Sequence, residues 1–199
     1  MNKLMSLAVV ALALLLARPA VGVVLLNQDQ ALKQMFPDPA KVTPELVVLT
    51  QAQGEAAKAN LGGKWTLYDA GSKAGAVTNS DSVTFFHATK EGKKVGAAVV
   101  EVQPGKWGPV KYIVALDPAG KVTNLAVMSY VEQRGRPIAT RRFLDQFIGK
   151  TGQSAITVGK DIDAVSGATI SSRATAFAVK KVVALYQAVY LCGAEKQEG

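Results

Sequence analysis

Residues that bind metals or form disulfides are nearly missing from this chain. Its 199 residues include one cysteine, Cys192, and one histidine, His87. A single cysteine excludes an internal disulfide, a Cys-based zinc site and an iron–sulfur cluster held by this chain itself. A single histidine excludes a multi-His metal site and a haem with two His ligands, and any Ser-His-Asp triad would have to use His87. Charged residues are sparse as well, 19% against 49% hydrophobic, the balance of a chain that buries a core rather than of a disordered one. No catalytic acid–base pair and no metal-ligand cluster stands out. Redox or catalytic chemistry here would therefore have to come from hydroxyls, carboxylates, Arg or Lys side chains, or an organic cofactor.

The length is that of one domain, with or without an export segment. After Met1-Asn2-Lys3, residues Leu4 to Ala17 form a run of 14 apolar and small residues, followed by Arg18-Pro19-Ala20-Val21-Gly22. A run of that length suits the h-region of a secretory signal and is short for a membrane span, and Ala20 and Gly22 place small residues where a signal peptidase cuts. The alternative is an uncleaved anchor reaching Leu26, which would bury Arg18. Removing residues 1–22 would take away Lys3 and Arg18 and lower the formal charge from +8 to +6. The expected division is a signal segment over 1–22, a helical N-terminal segment over 23–63, a principal domain over 64–192 and a polar tail over 193–199.

The excess of positive charge is densest at Arg134, Arg136, Arg141 and Arg142. No aromatic residue lies between Arg134 and Arg142 to stack a base, and export argues against nucleic acid as a partner. Solvated surface charge and a site for an anionic ligand or acidic partner are the two readings left.

Patterning predicts short helices over Asn27–Phe36, ended by Pro37, and over Thr50–Leu61, closed by Gly62-Gly63. Runs rich in Val, Phe, Tyr and Thr predict strands over Lys64–Tyr68, Ser82–Thr89, Val95–Gln103, Pro109–Leu116 and Val122–Tyr130. Glu91-Gly92-Lys93 and Asp117-Pro118-Ala119-Gly120-Lys121 read as hairpin turns, so the sheet is expected to be largely antiparallel. Helical spacing returns over Ile138–Ile148, with Gly149 as a C-cap, and over Ile170–Leu191. The fold class expected is α+β, a curved, largely antiparallel sheet flanked by helices.

Three local features are read as structural. Gly149-Lys150-Thr151 ends like a phosphate-binding P-loop, but Leu144 stands where the first glycine belongs and the segment follows a helix. His87 sits in a strand beside Phe85 and Phe86 and reads as half-buried and structural. Cys192 closes the last helix and reads as a packed thiol.

The segment Asp161-Ile162-Asp163-Ala164-Val165-Ser166-Gly167-Ala168-Thr169-Ile170-Ser171-Ser172-Arg173 carries more information. Small residues run directly into a helix, so backbone N–H groups and hydroxyls converge at the positive end of the helix dipole. Gly167 and Ala168 would let an anion approach, and Ser166, Thr169, Ser171 and Ser172 supply hydroxyls. A phosphate would suit such a site. Hydroxyl-rich helix starts are also ordinary caps, and both readings stand on this physics alone.

Asp163-x-x-Ser166-Gly167-Ala168-Thr169 resembles the flavinylation motif of the FMN-binding-domain family, which includes the flavin-carrying G and C subunits of the Rnf and sodium-translocating quinone reductase complexes. Tyr130-Val131-Glu132-Gln133-Arg134-Gly135 resembles the loop near the flavin ring in that family. Arg142-Phe143-Leu144-Asp145-Gln146-Phe147-Ile148-Gly149-Lys150 resembles its Phe-Leu-x-Gln-Phe-x-Gly-Lys helix, and the hairpin Asp117–Val122 is also similar. Together these cover about Pro109 to Val183. The complex subunits usually carry a His/Glu-Thr-Pro-Gly loop where this chain has Glu132-Gln133-Arg134-Gly135, which is similar to the stand-alone exported branch.

The resemblance implies an FMN joined by a phosphodiester to the hydroxyl of Thr169, put there by a flavin transferase. Ser166, Gly167 and Ala168 would shape the close approach. Ser171, Ser172 and the helix N-terminus would stabilise the remaining phosphate charge, and Asp163 would serve the transferase. Glu132, Arg134 and Gly135 are the residues expected near the isoalloxazine, unless Arg134 simply pairs with Glu132. The implied activity is that of an exported electron carrier between a membrane donor and an extracytoplasmic acceptor, not of a substrate-transforming enzyme. A non-covalent FMN or anion-binding module and a structural subunit of a membrane redox complex are the alternatives.

Overall fold

The computed structural model describes residues 22–37, 40–67, 81–131 and 136–192. Six strands form one antiparallel sheet: β1 (Val23–Val24), β2 (Lys41–Val48), β3 (Ser82–Lys90), β4 (Lys93–Pro104), β5 (Pro109–Leu116) and β6 (Val122–Tyr130), in the order β1-β6-β5-β4-β3-β2. Helix α1 (Gln28–Met35) and helix α2 (Gln51–Asn60) flank β2 in sequence; the one-turn helix α3 (Arg141–Leu144) and the long α4 (Thr169–Tyr186) follow the sheet. The class is α+β, as the patterning predicts.

Local chemistry accounts for the element ends. Asn27 and Gln30 exchange side-chain and backbone hydrogen bonds of 2.9 and 3.0 Å, a reciprocal cap that starts α1. Thr50 and Gln53 do the same for α2. The β3–β4 hairpin turns through Glu91 and Gly92, both at positive φ (51° and 76°), the pair of left-handed residues that a two-residue hairpin needs. In the β5–β6 turn the Asp117 carboxylate accepts from the N–H of Ala119 (3.0 Å) and Lys121 (2.9 Å), and Gly120 takes φ 78°.

Because strand side chains alternate, the sheet has two apolar faces, each covered by helix. On one face Phe85, Tyr112, Val114, Leu125 and Val127 pack with Val179, Val182 and Leu185 of α4. On the other, Ala98, Ile113, Ala126 and Met128 pack with Ala31 and Met35 of α1. Each Val, Leu, Ile, Phe or Met among them contributes about 1.5–3 kcal/mol on burial, so α4 is fastened mainly by this contact. Helix α4 with the π-turn after it, Thr169–Leu191, is long and apolar enough to cross a membrane, yet 67% of the relevant window is buried within the domain. It is the core helix.

Four local expectations need correction. Residues 64–67 form no strand: Gly62 and Gly63 both turn through positive φ, Trp65 folds inward, and the Leu67 N–H donates to the Gln103 side chain at 3.1 Å. The segment 23–63 is not only helical, because β1 pairs with β6 and β2 pairs with β3 over Lys41↔Thr89 to Val48↔Ser82. The helix expected over Ile138–Ile148 is broken into 3-10 turns at Arg136–Ala139 and Asp145–Phe147 around α3. Cys192 is exposed rather than packed.

Two polar clusters lie inside or against the core. Lys181 of α4, 1% exposed, meets Glu101 of β4 at 2.9 Å; Gln103 donates to the same carboxylate at 2.7 Å, and the Lys181 ammonium lies 5.7 Å from the Trp65 ring centre. Burial pushes the Glu101 carboxyl above its ordinary pKa, against the attraction of Lys181. The second cluster is structural, as expected for His87. Its Nε2 lies 2.6 Å from Glu45 and 3.0 Å from the Tyr190 hydroxyl, and that hydroxyl donates to Glu45 at 2.7 Å, tying β2, β3 and the chain after α4 together.

Candidate functional site

Between the 3-10 turn Asp145–Phe147 and α4 the chain has no helix and only an isolated β-bridge, Val158↔Ile162, so side chains must hold its shape. Gly149, at φ 82°, ends the short helices, and its N–H donates to Val122 O at 2.8 Å while Val122 N–H donates to Lys150 O at 2.9 Å. This aims Lys150 at Asp161, where its ammonium meets the carboxylate at 2.9 Å. Asp161 also accepts from the N–H of Ile156 (3.1 Å) and of Thr157 (2.8 Å). Burial works against its charge, but Lys150 and these two amides hold the carboxyl below its ordinary range. Ile156 is a buried non-glycine residue at φ 43°, a costly conformation that the Asp161 bond helps to sustain.

A second clamp acts two residues later. Gln146 accepts from the Asp163 N–H at 2.7 Å and donates to the Asp163 carbonyl at 3.4 Å, a side-chain copy of a strand pairing. Ser172 then closes the loop onto the helix. Its hydroxyl accepts from Val165 N–H (3.0 Å) and donates to Ala168 O (3.0 Å).

These clamps leave Asp163, Ser166, Gly167 and Thr169 exposed, with Val165 half-buried and Ala168 buried between them. Gly167 turns at φ 75°, and Thr169 is the first residue of α4. The N-cap is Ala168, with no side-chain cap hydrogen bond and no acidic residue in the first turn. The capping reading of the hydroxyls therefore fails: Ser166 does not cap the helix, and Ser172 is spent on loop closure. An 18-residue helix thus presents its positive pole and an exposed hydroxyl without a carboxylate of its own.

Beside this stretch lies a groove of about 500 Å³, lined by Thr140, Arg142, Phe143, Gln146, Asp163, Ala164, Val165 and Ser166. Its size is within the range of small-molecule sites, and its walls mix a phenyl ring with a guanidinium and a carboxylate. Arg142 faces this groove, whereas Arg141 is occupied by the carbonyl of Leu125 (3.0 Å) and by Asp145. An exposed hydroxyl, a glycine that allows close approach, an uncapped helix start and an adjoining groove together fit a phosphate-linked aromatic group.

The structure thus brings Asp163, Ser166, Gly167, Ala168 and Thr169 together. It turns Ser171 and Ser172 into the core, 2% and 0% exposed, away from solvent. Glu132, Arg134 and Gly135 lie outside the described residues. The residues that shape the loop, Gln146, Lys150 and Asp161, were not among the sequence candidates. They sit in or beside the recognisable helix and loop motifs, which was the available signal.

Comparison with known proteins gives four findings. A family described as FMN-binding domain matches residues 105–184, from the β4–β5 turn to near the end of α4. The G subunit of an ion-translocating oxidoreductase complex of Aliivibrio fischeri is 35% identical over 124 residues, 56% of this chain and 59% of that protein. The G subunit of a proton-translocating ferredoxin:NAD(+) oxidoreductase complex of Clostridium ljungdahlii is 35% identical over 107 residues, 49% of this chain and 57% of that protein. The chain therefore spans less than two thirds of the length of these relatives. Among solved structures, NqrC of Shewanella oneidensis superposes with a TM-score of 0.50 at 16% identity, covering 83% of this chain and 89% of that one, a likeness of fold.

Proposed function

We propose that this chain, whose residues 105–184 match a family described as FMN-binding domain, is an exported electron-transfer flavoprotein whose FMN is joined by a phosphodiester to Thr169. The observation that carries the covalent reading is the exposed Thr169 hydroxyl at the start of α4, with no side-chain cap beside it. FMN would supply the redox chemistry, accepting and releasing electrons at a potential tuned by its surroundings.

The chain's own residues would bind and orient. Thr169 would supply the linking oxygen, Gly167 and Ala168 the clearance, and the α4 N-terminus the partial positive charge facing the phosphate. Gln146 and Lys150, through Asp163 and Asp161, hold that loop against α3 and β6. Phe143 and Arg142 line the groove beside it, where an aromatic ring and an anionic group would both find partners. Asp163, pinned by its backbone with an exposed side chain, would be presented to the flavin transferase that matures the protein. Glu132, Arg134 and Gly135 would flank the ring.

The curated relatives are subunits of ion- and proton-translocating oxidoreductase complexes, which supports a membrane redox partner. Residues 1–22 would direct the chain to the extracytoplasmic side, leaving 64–192 as the flavin-binding domain. The test is intact mass after coexpression with a flavin transferase. An FMN-sized adduct in the natural chain, lost in Thr169→Ala, supports the reading; no adduct, or one that survives Thr169→Ala, refutes it. Yellow colour released on denaturation would instead identify a non-covalent FMN module.

A further inference from the structure

With Ser171 and Ser172 facing the core, the negative charge of a phosphodiester at Thr169 needs another partner. Helical geometry narrows the choice. Residues four apart lie on one face, and long side chains lean toward the N-terminus, so a side chain at position 173 is within reach of the turn that carries Thr169. From Thr169 to Thr175 the polar side chains facing solvent are Thr169 and Arg173. Among the described residues Arg173 makes no ion pair. It also stands near the positive pole of an 18-residue helix that has no acidic residue in its first turn, where a cation is disfavoured unless an anion joins it.

Resting on the attachment of FMN to Thr169, we propose that Arg173 binds the phosphodiester there, taking the phosphate contacts that the buried Ser171 and Ser172 are turned away from. The guanidinium suits this role because its paired N–H donors match two phosphate oxygens at once. The ion pair would also cancel the repulsion between Arg173 and the helix pole. Lys180, seven positions further along and bordering the same surface groove as Arg173, serves as the control cation. It stands about 16 Å from Thr169 along the helix axis, beyond direct contact.

The experiment uses the full chain, coexpressed with and without the transferase, as the natural sequence, Arg173→Gln, Arg173→Lys and Lys180→Gln. Intact mass reports loading, thermal unfolding gives the difference in Tm between loaded and flavin-free forms, and ³¹P NMR reads the phosphodiester itself. The loaded natural chain is expected to gain Tm over the flavin-free form. Arg173→Gln should cut that gain by about 2 °C and shift the ³¹P resonance, Arg173→Lys should restore part of both, and Lys180→Gln should change neither. The Arg173 contribution should shrink at high salt. Loss of loading in Arg173→Gln, restored in Arg173→Lys, counts for the same contact. If all four chains are loaded and Arg173→Gln matches the natural chain in gain and resonance, the Arg173 assignment is overturned while the Thr169 attachment stands. If the natural chain carries no adduct, both fall.

Discussion

Replacing Lys181 with methionine should destabilise the domain strongly, and more so at alkaline than at acid pH. Lys181 is 1% exposed and Glu101 7%, and the two meet at 2.9 Å. Methionine fills a similar volume without charge, so the substitution leaves the Glu101 carboxyl in the core without its cation, with Gln103 as a remaining donor. Removing one partner of a buried pair typically costs about 3–5 kcal/mol, which for a chain of this size lowers Tm by about 6–20 °C. The pH sign follows from Glu101. Burial already holds its folded pKa above the ordinary 4.5, and removing Lys181 raises it further. Between the unfolded and folded values the native state keeps a proton that the unfolded state has released, so stability falls as pH rises through that window. The deficit of Lys181→Met should therefore be smaller near about pH 5 than near about pH 8. Thermal unfolding followed by circular dichroism and by fluorescence of Trp65, which packs beside Lys181, measures it. The double variant Glu101→Leu/Lys181→Met should recover most of the loss and show no such pH dependence. A Lys181→Met deficit below about 2 °C, or one that grows on acidification, would refute the reasoning.

Further expectations concern the loop. Gln146→Ala removes both bonds to Asp163 and should cost about 1–2 kcal/mol in urea unfolding, with slower flavin loading by the transferase. Gly167→Ala places a Cβ at φ 75° and should cost about 1–2 kcal/mol, with unchanged far-ultraviolet circular dichroism. Asp161 has a depressed folded pKa, so its contribution is present above the ordinary 3.8 and is lost as pH falls through the folded value. Asp161→Asn should therefore lower Tm at neutral pH and flatten the acid limb of the Tm–pH curve.

The sheet from β3 to β6 was readable because its strands alternate or run apolar between strong turn signals such as Glu91-Gly92 and Asp117–Lys121. Strand β2 was not, because Pro44, Lys41 and Glu45 break its pattern on an edge where Leu46 and Val48 are 67% and 71% exposed. Residues 64–67 misled in the opposite way: Trp65, Thr66 and Leu67 have strand-forming side chains, but Trp65 covers Lys181 instead of pairing a strand. At the site, helical spacing put the start of the last helix at Ile170, one residue after Thr169, where α4 begins. Which serines face solvent is a question of helical phase, and the packing of α4 on the sheet sets that phase, turning Ser171 and Ser172 inward and leaving Arg173 outside. The clamps by Gln146 and Lys150 depend on contacts across 17 and 11 residues, which local patterning does not register.

The central claim concerns one oxygen atom, and peptide mapping tests it most directly. Trypsin cutting after Lys160 and Arg173 releases Asp161–Arg173, which contains Ser166, Thr169, Ser171 and Ser172 as competing hydroxyls. After coexpression with a flavin transferase, fragment ions of this peptide should place a single FMN-sized mass on Thr169. A peptide of unmodified mass, or the added mass on Ser166, Ser171 or Ser172, would contradict the account.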